Sequence, residues 1–91
     1  MEKLPSNISR YKQTEIFDEC SIPKGLLQDH QTKAGVWGEI IVLEGKLLYT
    51  IQSQPPEEII LSPDYCGVVA PEVLHNVKPL GPVRFCVYFN K

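Results

Sequence analysis

The sequence predicts an all-β domain, a small β-sandwich or barrel. Eight prolines and six glycines cut its 91 residues into short segments, and no apolar run keeps a helical period beyond one or two turns. Between the breaks lie short runs rich in β-branched and aromatic residues. Turn signals recur at about 8–12 residues, the spacing of sandwiches and barrels. They fall at Lys24-Gly25, Glu44-Gly45, Gln54-Pro55-Pro56, Ser62-Pro63-Asp64, Cys66-Gly67, Ala70-Pro71 and Leu80-Gly81-Pro82.

Taken in order, the first eight or so residues read as a loosely held tail. Strands are expected over residues 11–17, 26–32, 36–43, 46–53, 57–61, 68–69, 75–78 and 83–89, with no helix longer than about two turns. The turn at Glu44-Gly45-Lys46 is expected to close a β-hairpin, because Gly45 can take the positive φ that a tight hairpin turn requires. In the strand before it, Val36, Gly38, Ile40 and Val42 share one face and Trp37, Glu39, Ile41 and Leu43 the other. Both faces are largely apolar, which places this strand between two sheets, with Trp37 in the core. Glu39 then sits at a strand end or pairs with a lysine such as Lys33. Tyr49 and Tyr65 read as half-buried aromatics. Residues 57–61 and 83–89 are apolar segments expected at sheet edges, where pairing with a second copy would cover open backbone groups; a homodimer is the expected assembly.

At this length residues 1–91 form one domain. The net charge is -2 and no face concentrates Lys and Arg, so a nucleic-acid partner is not expected. No apolar run approaches the roughly 20 residues of a membrane span. Residues 1–6 carry no apolar segment after their charges, so no secretory signal is read and a cytoplasmic location is expected. The three cysteines, Cys20, Cys66 and Cys86, are odd in number and form no Cys-x-x-Cys pair. They read as reduced thiols packed as small hydrophobes. Cys86 or Tyr88 would point into a cavity if the strand over 83–89 lines one.

The chain has only two histidines, His30 and His75, each in a β-rich segment beside a turn signal. Two imidazoles brought together from distant strands are the minimum equipment for a metal or polar-ligand site. Lys33 reads as a solvated loop lysine; a cation there near a pocket mouth, like Arg84 on a strand amid apolar residues, would suit an oxyanion. Glu39, Cys86 and Tyr88 are the further candidate donors. The candidate ligand-binding set is therefore His30, His75, Lys33, Glu39, Arg84, Cys86 and Tyr88, with His30 and His75 as the candidate metal ligands.

Residues 30–38 (His-Gln-Thr-Lys-Ala-Gly-Val-Trp-Gly), the Leu43-Glu44-Gly45-Lys46-Leu47 turn, and Pro71-Glu72 followed three residues on by His75 resemble the small TehB/YeaR-like domain of the cupin superfamily, known from tellurite-resistance proteins. The likeness runs from about residue 11 to residue 89. It implies a compact double-stranded β-helix around a pocket, often dimeric. Cupins commonly bind a metal through two histidines separated by one residue, a glutamate seven positions before the turn glycine, and a third histidine. Here Thr32 stands at the second histidine position, Gly38 at the glutamate position with Glu39 one step off, and Glu72 where the second motif has glycine. The three-histidine, one-glutamate set is therefore incomplete, and a zinc, iron, manganese or nickel ion would need His30 and His75 plus a third donor from Glu39, Cys86 or Tyr88.

The resemblance implies a stand-alone domain that binds a small molecule, an oxyanion or a divalent metal in its barrel, in a response to tellurite or another oxyanion. A metal-dependent oxygenase or isomerase is the alternative enzyme reading, and an oligomerisation or docking module for a partner such as a methyltransferase is the third.

Overall fold

The computed structural model describes all residues, Met1–Lys91, and is all-β, in two antiparallel sheets. The strands are β1 (Arg10–Gln13), β2 (Phe17–Asp18), β3 (Trp37–Glu44), β4 (Leu47–Ile51), β5 (Glu57–Leu61), β6 (Gly67–Val69), β7 (His75–Pro79) and β8 (Arg84–Asn90). One sheet has the order β1-β8-β3-β6, with β2 also paired to β8; the other has the order β5-β4-β7. The only helix, α1 (Lys24–Leu27), is a single turn. It replaces the start of the strand expected over residues 26–32, because Pro23 and Gly25 favour a turn and the Leu26 N–H closes on the Pro23 carbonyl at 2.9 Å. What survives of that strand is an isolated bridge at His30.

The sheets face each other through alternate side chains. Ile40 and Val42 of β3, Val69 of β6, and Phe85 and Val87 of β8 meet Leu47 and Tyr49 of β4, Leu61 of β5 and Val77 of β7 in one core. Phe85, Leu47 and Leu61 are wholly buried, and emptying the Phe85 site would cost about 3–5 kcal/mol. Three expectations change here. β3 is buried on one face only: Trp37, Glu39 and Ile41 are half-exposed, so Trp37 lies outside the core. Tyr49 is not half-buried but 1% exposed, and its hydroxyl donates to the Val68 carbonyl at 2.9 Å. β8 is no edge strand, since β3 flanks one side and β1 and β2 the other. β5 is an edge, paired only to β4. In the stretch read as a tail, the Met1 sulfur accepts the Val68 N–H at 3.1 Å.

The turn at Gly45 is not a hairpin. β3 and β4 belong to different sheets, so Gly45 is the corner at which the chain leaves one sheet for the other. Its φ of +79° is the positive value the sequence suggested, but its use differs. A Cβ at Gly45 would stand 2.1 Å from the Pro82 carbonyl oxygen, so this corner packs against the loop leading into β8. The hairpin in this region joins β4 to β5, in register from Leu47 opposite Leu61 to Ile51 opposite Glu57. Glu72 is the one non-glycine residue with positive φ, at +61°, and its N–H donates to the Thr32 carbonyl at 3.1 Å.

These backbone positions give opposite expected signs. Gly45→Ala should cost about 3 kcal/mol or more, combining the left-handed penalty with the Pro82 clash. Gly35→Ala, at φ +76° with no atom within 4 Å of the new Cβ, should cost only about 1 kcal/mol. Glu72→Gly should raise stability by about 0.5–1 kcal/mol, because relief of the left-handed strain exceeds the added chain entropy. Urea unfolding of the three variants measures all three values.

Candidate functional site

A cavity of about 290 Å³ opens between the two sheets. Its walls are mainly apolar: Ile40, Val69, Phe85, Val87 and Phe89 from one sheet, Val77 from the other, with Pro23 and Leu26 at the α1 end. No Asp, Glu, Lys or Arg lines it. The polar side chains that do are His30, His75, Thr14 and Thr32.

The two histidines are brought together by the backbone. His75 opens β7, and the His30 segment pairs antiparallel with it: each N–H of the two residues donates to the other's carbonyl at 2.9 Å. Directly opposed residues in an antiparallel pair put their side chains on the same face. The rings accordingly lie with centres 4.1 Å apart, tilted by 54°, and the Tyr49 ring meets His75 edge-on at 5.7 Å. Asp29 reinforces the bridge from the other side. Its Oδ1 accepts Asn76 Nδ2 at 2.7 Å and Gln52 Nε2 at 3.1 Å, and these bonds, Asn76 first, hold its carboxyl below the ordinary range.

Hydrogen bonding fixes which nitrogen of each ring is free. His75 Nδ1 lies 2.9 Å from the Val73 carbonyl and His30 Nδ1 3.3 Å from the Gln28 carbonyl. A carbonyl only accepts, so in the neutral form of each ring Nδ1 carries the proton and Nε2 a lone pair. Neither Nε2 bonds to protein, yet neither is sealed off as a buried unsatisfied atom. The His75 side chain is only 3% exposed, so its Nε2 opens on the cavity it lines. Burial holds the His75 pKa below the usual imidazole value, so the ring is neutral near pH 7.

The other sequence candidates are not in the cavity. Glu39, Arg84, Cys86 and Tyr88 point to the opposite face of the same sheet, where Glu39 stands opposite Tyr88 and Ile41 opposite Cys86. Glu39 takes Arg10, not Lys33: its two oxygens accept Arg10 Nε at 2.9 Å and Nη2 at 3.2 Å, and Asn90 Nδ2 adds a bond at 3.1 Å. The Arg10 bond is the main reason its carboxyl titrates below the ordinary range. The Arg10 guanidinium also covers the Tyr88 ring at 3.9 Å. Cys86 is buried, which raises its thiol pKa, and Arg84 faces Glu44 at 3.7 Å on the surface. Lys33 is exposed in the turn before β3, outside the cavity lining. The third donor sought from Glu39, Cys86 or Tyr88 therefore cannot reach His30 and His75, and no three His, Cys, Asp or Glu side chains cluster anywhere in the chain.

Sequence reading missed the residues that form the walls. Phe85, Val87 and Phe89 alternate along β8 as regularly as Cys86 and Tyr88 do, and alternation alone does not say which set faces inward. Thr32, two residues from His30, was a signal within reach; it lines the cavity while its hydroxyl donates to the Val36 carbonyl at 2.8 Å.

The lowered His75 pKa has a consequence for stability. The unfolded chain takes up this proton near pH 6.5, while the folded ring resists it. Stability is thus present above that pH and is lost as pH falls through the folded value. Thermal unfolding should show the melting temperature falling from pH 7.5 to pH 5, with a shallower slope in His75→Leu. A wild-type melting temperature that rises over this interval would contradict the assignment.

Comparison with known proteins agrees with this architecture. The sequence profile of the TehB-like domain matches residues 12–87. Two curated proteins from Haemophilus influenzae strains, each named probable S-adenosyl-L-methionine-dependent methyltransferase TehB, are 32% and 31% identical over 80 residues. The match takes in 84% of this chain and 28% of each relative, so the chain spans little more than a quarter of the relatives' length. The crystal structure of TehB from Haemophilus influenzae superposes with a TM-score of 0.84 at 27% identity, covering 93% of this chain and 32% of that one. A crystal structure of an Escherichia coli (strain K12) protein covers 100% of this chain and 97% of its own, with a TM-score of 0.89. Its 23% identity makes that a likeness of fold alone. With a profile match across most of its length, the chain belongs to the TehB-like domain family.

Proposed function

We propose that this domain binds a small molecule in the cavity between its sheets, with His30 and His75 as the polar end of the site, in a response to oxyanion stress such as tellurite exposure. One observation carries the reading. Two imidazoles from distant segments each hold Nδ1 on a backbone carbonyl and leave Nε2 free beside an otherwise apolar cavity of about 290 Å³. A mostly apolar concavity with a few fixed polar groups is the usual form of a small-molecule site. The stress-response setting rests on the relationship to TehB and on nothing in the cavity itself.

We read the architecture as a cupin-type double-stranded β-helix. The strand orders β1-β8-β3-β6 and β5-β4-β7, the latter extended by the His30 bridge beyond β7, support it. On this reading His30, Thr32, Gly38 and His75 occupy the four positions of the superfamily's metal ligands, and all four line the cavity. Of these four positions only His30 and His75 carry a metal-binding nitrogen, and no third His, Cys, Asp or Glu side chain stands with them to complete a metal site. Gly38 supplies no side chain, and even a Cβ there would stand 3.1 Å from Val69 Cβ. The site therefore acts through hydrogen bonding and apolar contact.

Titration of the full chain with toluene, followed by amide chemical shifts, tests the reading. Shifts are expected at Gly38, Val69, Val77 and Val87 and not at Ile41 or Cys86 on the outer face. Val87→Phe, which fills part of the cavity, should weaken the response at least about tenfold while the fold persists. No shift at the cavity amides, or shifts on the outer face alone, would overturn the proposal.

A further inference from the structure

We infer that the cavity selects a neutral, largely apolar molecule presenting one hydrogen-bond-donating head group, of the alcohol or phenol class, and excludes oxyanions. The inference rests on reading the cavity as a ligand site and goes further by following its protons. The His30 Nδ1–H goes to the Gln28 carbonyl and the His75 Nδ1–H to the Val73 carbonyl. The Thr32 hydroxyl donates to the Val36 carbonyl at 2.8 Å. The Thr14 hydroxyl donates to the Glu15 carbonyl at 2.8 Å and accepts the Val87 N–H at 2.9 Å.

Every side-chain N–H and O–H on the wall is thus committed to the backbone. What the side chains offer a ligand is lone pairs: Nε2 on each of two adjacent rings, and the remaining acceptor capacity of Thr32. An oxyanion needs donors or a cation, and it would meet acceptors in an apolar enclosure, where an unpaired charge is costly. The cations that would suit it, Lys33 and Arg84, lie outside. A cationic ligand fares no better, because no carboxylate lines the cavity and Asp29 is turned to Asn76 and Gln52. A neutral hydroxyl satisfies both requirements: it donates to an imidazole lone pair and leaves the rest of the molecule to the apolar wall.

Toluene, phenol, sodium benzoate and sodium tellurite, titrated into the full chain at pH 7.5, separate the cases. Phenol is expected to bind about three- to tenfold tighter than toluene, the worth of one neutral hydrogen bond, with benzoate and tellurite leaving the cavity amides unmoved. His30→Leu, at the more exposed of the two rings, should reduce the ratio of phenol to toluene affinity about threefold or more. A measurement that needs no variant uses 4-nitrophenol, whose colour reports its ionisation: the acceptor wall should hold it in the colourless neutral form. Equal affinity for phenol and toluene, binding of 4-nitrophenol as the yellow phenolate, or cavity shifts with benzoate or tellurite would each overturn the inference while leaving the ligand-site reading intact. If none of the four probes moves a cavity amide, both fail.

Discussion

The pair of backbone hydrogen bonds between His30 and His75, each 2.9 Å, is the constraint on which the site depends. These two bonds tie a segment with little regular structure of its own to the outer edge of β7. Because the residues are directly opposed, both rings must emerge on the same face, towards the other sheet. The carbonyls that hold each Nδ1 come from two residues upstream in each case, Gln28 and Val73, so the turn leading into each histidine also fixes its tautomer. Asp29, bonded to Asn76 and Gln52, clamps the same segment from outside. Position, ring orientation and proton placement thus follow from local backbone geometry, and the apolar wall is contributed separately by β3, β6 and β8.

The sheet formed by β1, β8, β3 and β6 divides its chemistry between two faces. The inner face carries the aliphatic and aromatic wall. The outer face carries Glu39, Arg10, Asn90 and Tyr88, a satisfied network in which the carboxylate meets a two-pronged guanidinium and the guanidinium stacks on the phenol ring. That network ties β1 to β3 across β8 and accounts for a carboxylate in the middle of a largely apolar strand. Its groups are polar and well placed, but they are used up in holding the edge of the sheet.

Much of the fold was legible in the sequence. Glu57–Leu61 was placed to the residue, and β3, β4, β6, β7 and β8 within a few residues, because β-branched runs bounded by Pro and Gly have few alternatives. The pairing of His30 with His75 was legible through the family resemblance and was located by the backbone bridge. Other features were not readable for definite reasons. A glycine with positive φ serves a hairpin and a corner between sheets equally well, and only the Pro82 carbonyl beside Gly45 distinguishes them. A strand apolar on both parities, such as Phe85, Val87 and Phe89 against Cys86 and Tyr88, does not state which face is inward. At Glu72 the backbone takes a φ of +61°, a conformation that suits glycine, and a glutamate gives no sequence signal for it.

The central claim is that both imidazoles hold a proton on Nδ1, facing a backbone carbonyl, which makes the cavity's free Nε2 atoms acceptors. Long-range nitrogen–proton correlation spectra of the ¹⁵N-labelled protein at pH 7.5 read this directly, because the protonated and lone-pair nitrogens of an imidazole resonate far apart. The expected result is two histidines of the same tautomer, each with a protonated Nδ1 and a lone pair on Nε2. A proton on Nε2 of either ring, or an imidazolium at His75, would contradict the account and return the cavity to a donor site.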